Sequence, residues 1–188
     1  MNLTFVFPCL NEEETLGACI RQVQVSLDRA ADLEYEIVVA DNGSTDRSAE
    51  IAGSLGARVV PVERRGYGAA LQGGIEAARA PYVMFADADS TYLLDDALEL
   101  YEKAIETDAD MAIASRMNGR IEDGAMPTLH RRLGTPVLTG LINLLFRGDL
   151  SDCNSGFRCL RKEAYQRWEI RSNGMEFASE LLIKALKA

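Results

Sequence analysis

The sequence predicts an α/β protein with a mainly parallel sheet and helices on both faces. Two observations carry this. Short apolar runs recur along the chain as far as Ala114, and segments of helical period lie between them, in the order βαβαβαβαβ. Parallel neighbours need such crossovers, and a sheet of this kind binds ligands beyond the carboxyl ends of its strands. A third observation sets the scale: 188 residues, 47% hydrophobic and 26% charged, suffice for one domain with a full core and exclude a disordered tail or a small disulfide scaffold.

The expected strands are Leu3 to Phe7, Glu36 to Ala40, Arg58 to Val62, Tyr82 to Ala86 and Met111 to Ala114. Three of them are nearly all apolar, as strands buried on both faces must be. Pro8 is expected to end the first ladder, and Asn11 with Glu14 to cap the next helix. That helix shows its core stripe as Leu16, Cys19, Ile20, Val23 and Leu27, and a later one as Leu94, Leu98, Tyr101 and Ile105. Beyond Arg116 come a Gly-, Met- and Pro-containing loop to Pro127, a helix from about Thr128 to Arg147, a strand-like Gly156 to Leu160 and two short helices. In the last of these Glu176, Glu180 and Lys184 share one face, as an ion-pair face in solvent would. The sequence stops inside that helix without a cap, so a longer protein is expected.

Several classes are excluded. The longest apolar stretch, Leu133 to Phe146, is broken by Gly and polar residues and falls short of the roughly 20 residues that span a bilayer. The start lacks the basic segment of a signal peptide, so a cytoplasmic location is expected. Cys9, Cys19, Cys153 and Cys159 form no C-x-x-C pair, and the single His130 completes no zinc site with them, so they read as reduced and structural. A net charge of −9 argues against nucleic acid as a partner. The charge is uneven: residues 1–110 hold 21 acids against 8 bases, and residues 111–188 hold 8 against 12. The basic late part suits phosphates or an anionic membrane surface.

Chemistry is concentrated where strands end. Asp41-Asn42-Gly43-Ser44-Thr45-Asp46 is a turn and cap cluster in which Asp41 alone is required by neither role, which frees its carboxylate for a base or ribose. Arg64-Arg65-Gly66-Tyr67-Gly68 offers cations and bare N–H groups to an anion, or simply a tight turn. Asp87-Ala88-Asp89 places two carboxylates at the open end of an apolar strand. At about 4 Å such charges repel by roughly 4 kcal/mol at an effective dielectric of 20. A hard cation, Mg²⁺ or Mn²⁺, offsets this and shares its other coordination sites with phosphates and water. Asp152, Ser155, Gly156 and Arg158 join a carboxylate, a turn and a cation in a late segment.

Taken in order, the Pro8 to Glu12 loop, the Asp41 to Asp46 turn, Arg65-Gly66-Tyr67-Gly68, Asp87-Ala88-Asp89, Ser115-Arg116 and Ser155-Gly156-Phe157-Arg158 resemble the family 2 glycosyltransferases, in particular the dolichyl- and polyprenyl-phosphate mannose and glucose synthases. The resemblance implies the GT-A fold, a Rossmann-like sheet, with a nucleotide-sugar donor, a divalent metal and inversion at the anomeric carbon. It implies that Pro8, Asn11 and Glu12 line the base and ribose pocket, with Asp41 on the base. Arg65, Gly66 and Gly68 would lie beside the phosphates, with Ala88 at the nucleotide between Asp87 and Asp89, the metal pair. Arg116, Arg131 and Arg132 would meet the acceptor phosphate, with Asp152, Ser155, Gly156 and Arg158 bordering acceptor and sugar. Arg116 and Arg158 would act in catalysis, as would Asp152 as base for a hydroxyl acceptor. Residues 1–115 then form a nucleotide-sugar-binding part and 116–188 an acceptor-binding part of one catalytic domain, working at the cytoplasmic face of a membrane, where the 128–147 helix would lie unless, as an equally open reading, it packs on the sheet. Asn42 replaces a common second Asp, and Thr91 stands where mannose synthases often carry Gln. Two other readings stay open: a nucleotide-sugar-binding module without turnover, and a haloacid-dehalogenase-type phosphatase, whose D-x-D-x-T signature Asp87 to Thr91 also fits.

Overall fold

The structure is a computed structural model, and it describes residues 1–89, 92–114, 139–140, 142–143, 152–153 and 155–188. Six strands, β1 (Leu3–Cys9), β2 (Tyr35–Asp41), β3 (Arg58–Pro61), β4 (Tyr82–Phe85), β5 (Met111–Ile113) and β6 (Arg158–Arg161), form one sheet in the order β3-β2-β1-β4-β6-β5. The first four are parallel, whereas β6 runs antiparallel to both β4 and β5. The late strand thus enters between two earlier ones, and the expected nucleotide-side and acceptor-side parts share one sheet.

Every residue of β1 is buried, since it has strands on both edges and helices on both faces. Its alternation divides two cores. Leu3, Phe5, Phe7 and Cys9 pack with Leu16, Ile20 and Val23 of α1 (Leu16–Leu27) and Leu100 and Ala104 of α4 (Ala97–Glu106). On the other face Val6 joins Leu71 and Ile75 of α3 (Tyr67–Ala77), Ala164 and Trp168 of α5 (Lys162–Trp168) and Phe177 and Leu181 of α6 (Phe177–Lys187). A short helix α2 (Ser48–Ser54) precedes β3. The α1 stripe is buried as its period requires, but Ile105 at the end of the α4 stripe is 43% exposed, because the stripe outruns the face that the sheet covers.

Two local expectations are corrected. Pro8 stays inside β1 opposite Ala40, and the ladder with β2 runs on to Cys9; only the pairing with β4 stops earlier, at Val6. Nor does Asn11 cap α1. That helix starts at Leu16 after Thr15 with no side-chain cap, and Asn11 takes a left-handed backbone (φ 59°) with its Oδ1 on the Thr45 N–H. Of the helix expected over 128–147, Thr139, Gly140, Ile142 and Asn143 are described and are helical; the rest lies outside the described residues. All four cysteines are free and buried.

Close approach of α3 to the sheet is made at Gly74, where a Cβ would stand 2.3 Å from Val6 Cγ1 and 3.1 Å from the Ala40 Cβ. Gly53 in α2 meets nothing within 4 Å. Gly74→Ala is therefore expected to cost about 1–3 kcal/mol of stability by overpacking, and Gly53→Ala to add about 0.5 kcal/mol through helix propensity. Denaturant unfolding of the two variants, with opposite shifts in midpoint, checks this.

Candidate functional site

From β1 the chain crosses to β2 and β3 on one side, and β4 then pairs on the other. The backbone parts at their carboxyl ends, as in other open α/β sheets. A cavity of about 490 Å³ lies there, floored by Pro8 and Cys9 at the end of β1 and by Asp87, Ala88 and Asp89 after β4. Glu12 lines it from the β1 loop, and Asn42, Arg65, Gly66 and Tyr67 from the β2 and β3 ends and the start of α3.

The acids give the cavity its electrostatics. Asp87 Oδ1 is buried with no hydrogen-bond partner among the described residues. Burial raises the Asp87 pKa, and the nearby Asp89 and Glu12 carboxylates push the same way, against a hydrogen bond from Tyr67 and the charge of Arg158. Tyr67 in turn is held protonated by burial and by Asp87, so it is a standing donor. An orphaned carboxylate oxygen beside a second acid, with excess negative charge facing a cavity, fits a divalent cation. Asp87 and Asp89 would hold it, and the remaining positions would fall to phosphate oxygens and water.

Several expected site residues take other places. Asn11 and Asp41 do not line the cavity: Asn11 ties the β1 loop to Thr45, and Asp41 Oδ1 accepts the Ser44 N–H at 3.0 Å, so the turn does use Asp41. The two loops are laced further by Ser44, Asp46 and Ser48, which accept the N–H groups of Asn11, Glu13 and Glu12 at 2.8–3.0 Å. Gly66 begins α3 with φ 129°, and a Cβ there would lie 2.2 Å from the Asn173 oxygen. Gly68 lies against the same segment, where a Cβ would come within 2.5 Å of the Ser172 oxygen, so the packing there leaves no room for a side chain.

Arg158 lies under the site and not in it. It is 1% exposed, and its guanidinium donates to the carbonyls of Ser155 (2.8 Å), Ala178 (3.0 Å) and Cys153 (3.4 Å). Burial lowers its pKa against the opposing charge of Asp152, itself buried. A cation so enclosed holds the turn from Ser155 to Phe157 and is not among the residues that line the cavity. Ser155 is likewise buried, but Gly156 reaches the floor: its N–H donates to the Tyr92 hydroxyl at 2.6 Å, and a Cβ would lie 3.0 Å from Asp87 Oδ2. Arg116, Arg131, Arg132 and Thr91 lie outside the described residues.

Sequence reasoning overlooked Tyr67 and Met175. Tyr67 sits between the two glycines of the anion loop, a placement that could have marked it. Met175 lines the cavity while 70% exposed, and no local signal announces it. It rides on a segment fixed by Glu180, whose carboxylate accepts the N–H groups of Arg171 (3.0 Å) and Ser172 (2.8 Å) and pairs with Lys184 at 2.7 Å. The expected solvated face is thus a clamp. Against the desolvation that would raise it, hydrogen bonds from Lys184, Ser172 and Arg171 bring the Glu180 pKa down to about 2.

A mainly parallel sheet with an acid pair and an arginine around a cavity at its switch point defines an α/β protein of the GT-A type. Residues 4–168 match glycosyl transferase family 2, and the chain belongs to that family. It is 40% identical to the low-salt glycan biosynthesis hexosyltransferase Agl6 of Haloferax volcanii over 97% of its own length, but spans only 44% of that relative. With a dolichyl-phosphate hexose transferase of the same organism it shares 32% identity over 97% of this chain and 76% of the relative. Glucosyl-3-phosphoglycerate synthase from Mycobacterium tuberculosis, solved with Mn²⁺, uridine diphosphate and glucosyl-3-phosphoglycerate, superposes with a TM-score of 0.66 at 25% identity, over 87% of this chain and 57% of that one. The phosphatase reading gives way, since the chain belongs to glycosyl transferase family 2 and Asp87 follows the fourth strand, not the first.

Two outcomes are expected. Asp87→Asn removes a charge that burial and its acidic neighbours penalise more than Tyr67 and Arg158 offset, so the metal-free variant should melt about 2–4 °C above wild type, the shift that about 1 kcal/mol brings in a chain of this size; calorimetry measures it, and a lower melting temperature would show the carboxylate to be stabilised by its surroundings. Because the folded pKa of Glu180 is depressed, its contribution is fully present above the unfolded value of about 4.3 and is lost as pH falls towards about 2. Glu180→Gln should be less stable than wild type at pH 7, and the gap should close over that interval in acid unfolding.

Proposed function

We propose that this chain carries the catalytic domain of an inverting hexosyltransferase that moves a sugar from a UDP- or GDP-linked donor to a polyprenyl or dolichyl phosphate at the cytoplasmic face of a membrane. The observation that carries the donor half is the orphaned Asp87 oxygen beside Asp89 on the floor of a cavity whose opposite wall is Arg65 and Gly66. The acceptor half is supported by the dolichyl-phosphate hexose transferase, a relative matched along 97% of this chain. Residues 1–115 are assigned to the donor and 116–188 to the acceptor.

Bound Mg²⁺ or Mn²⁺ supplies charge neutralisation at the diphosphate. The chain's own groups do the rest. Pro8 and Glu12 bound the nucleoside side of the cavity, and Arg65 offers a guanidinium to the phosphates. The start of α3 presents a helix N-terminus on the same wall. Tyr67 holds the Asp87 carboxylate in orientation through its hydroxyl, and Gly156 keeps the Asp87 side free of any side chain of its own. The acceptor attacks C1 from the face opposite the leaving diphosphate in a single displacement. A phosphate oxygen is already anionic at neutral pH and needs no strong base, so the demand on the protein is for cations, which Arg116, Arg131 and Arg132 are assigned to meet. Asp152, buried behind the site, is then not required as a base.

Asp89→Asn is expected to lower metal-dependent transfer of labelled sugar from UDP-glucose or GDP-mannose to dolichyl phosphate by at least about 100-fold, with the fold intact because Asp89 is exposed. Full transfer by that variant in EDTA would overturn the metal assignment. Donor binding without transfer to any acceptor would favour a binding module, and transfer to a soluble hydroxyl alone would remove the lipid phosphate.

A further inference from the structure

Between Trp168 and Phe177 the chain forms neither helix nor strand, yet the middle of this segment is tied on two sides. From the first turn of α6, Glu180 Oε2 accepts the N–H groups of Arg171 (3.0 Å) and Ser172 (2.8 Å), while Oε1 pairs with Lys184 at 2.7 Å. From α3, the Gln72 side-chain amide donates to Ser172 O at 2.7 Å and the Ala69 N–H to Asn173 O at 2.9 Å. The fit is close: a Cβ on Gly66 would stand 2.2 Å from the Asn173 oxygen, and one on Gly68 would stand 2.5 Å from that of Ser172 and 2.9 Å from that of Gly174. Next along the segment, Met175 lines the cavity, whereas Glu180 does not. An irregular segment keeps a single position only while its tethers outweigh the backbone entropy of freeing it.

We propose that Glu180 is a positioning residue for nucleoside diphosphate binding: by accepting the Arg171 and Ser172 N–H groups it holds the segment against α3, and so fixes the start of α3 and Met175 at the cavity. This rests on the reading of Arg65, Gly66 and the α3 N-terminus as the phosphate-side wall. Without the carboxylate the two N–H groups turn to water, and the segment is held from the α3 side alone. Gly66 and Gly68 then lose the carbonyl surface that sets where the helix begins, and Arg65, next to Gly66, moves with them. The nucleoside side, at Pro8 and Glu12, is laced to the β2 loop through Ser44, Asp46 and Ser48 instead and keeps its shape. Because one oxygen receives both N–H groups and the other meets Lys184, the clamp and the charge are separable. A glutamine retains the first and gives up only the second.

The test is calorimetric titration, with Mn²⁺ present and below the melting temperature of each protein, of UDP, GDP, uridine and guanosine into wild type, Glu180→Ala, Glu180→Gln and Lys184→Met. Glu180→Ala should weaken whichever diphosphate wild type binds by about tenfold or more and leave nucleoside affinity unchanged. Glu180→Gln, although less stable, should recover most of that loss, and Lys184→Met should bind as wild type does. Equal losses of nucleoside and diphosphate in Glu180→Ala would make the residue merely structural, and a loss as large in Glu180→Gln or Lys184→Met would assign the effect to charge; either overturns the proposal. Diphosphate binding by Glu180→Ala equal to that of wild type overturns the inference alone, whereas a wild type that binds neither diphosphate overturns the reading of the cavity and the inference with it. Should Glu180→Ala not fold, Gln72→Ala, which cuts the other side-chain tether of Ser172, is read in the same way.

Discussion

The site depends on one constraint: the end of a strand buried on both faces and both edges is the only part of it that can meet a ligand. Strand β1 has no exposed residue from Leu3 to Cys9, and its neighbours leave in opposite directions along the sheet. Where it ends, the backbone opens. The same burial that stabilises the sheet makes a carboxylate at that level costly, and Asp87 shows the cost in its raised pKa and unpartnered oxygen. A site that holds negative charge out of water fits a cation, and this fit underlies the donor half of the proposed function.

The structure keeps that charge in place by support from behind. Arg158, with three carbonyl partners, fixes the turn whose Gly156 lies against Asp87, and it contributes an opposite charge without reaching the cavity. Tyr67 approaches from α3 and Tyr92 meets the Gly156 N–H. The start of α3 is itself located from two directions, by Asn42 through Gly66 and by the segment from Arg171 to Met175 that Glu180 clamps. Ala69 N–H donates to Asn173 O at 2.9 Å and the Gln72 side-chain amide to Ser172 O at 2.7 Å, so the segment before α6 is tied to α3 at the cavity wall. Small residues at 66, 68 and 74 permit these approaches, each where a Cβ would meet another atom at 2.5 Å or less.

The order of elements, the α1 stripe and the acid pair were legible because each is written locally: burial on two faces demands continuous apolar runs, a helix repeats every 3.6 residues, and Asp87 and Asp89 stand next to a strand end. The antiparallel β6 was legible as a strand but not as a neighbour of β4, since nothing in Arg158–Arg161 states which edge it joins. Asn11 and Asp41 show the limit from the other side. Both are polar residues at strand ends, yet each serves the lacing of two loops, and a partner 34 residues away or a turn closed at Ser44 cannot be told from a ligand by residue type alone.

By itself the sequence determined the fold class, the family resemblance and the level of the sheet at which chemistry would occur, because those follow from hydrophobic period and from residues adjacent to strand ends. Only the tertiary structure decided which polar groups face the cavity and which hold it up. Arg158 and Glu180 look alike in sequence to a substrate cation and a solvated acid, but one is enclosed by carbonyls and the other clamps two N–H groups. The physical reason is that a polar side chain takes its role from whatever desolvates and pairs it, and those partners come from segments far along the chain that only folding brings together.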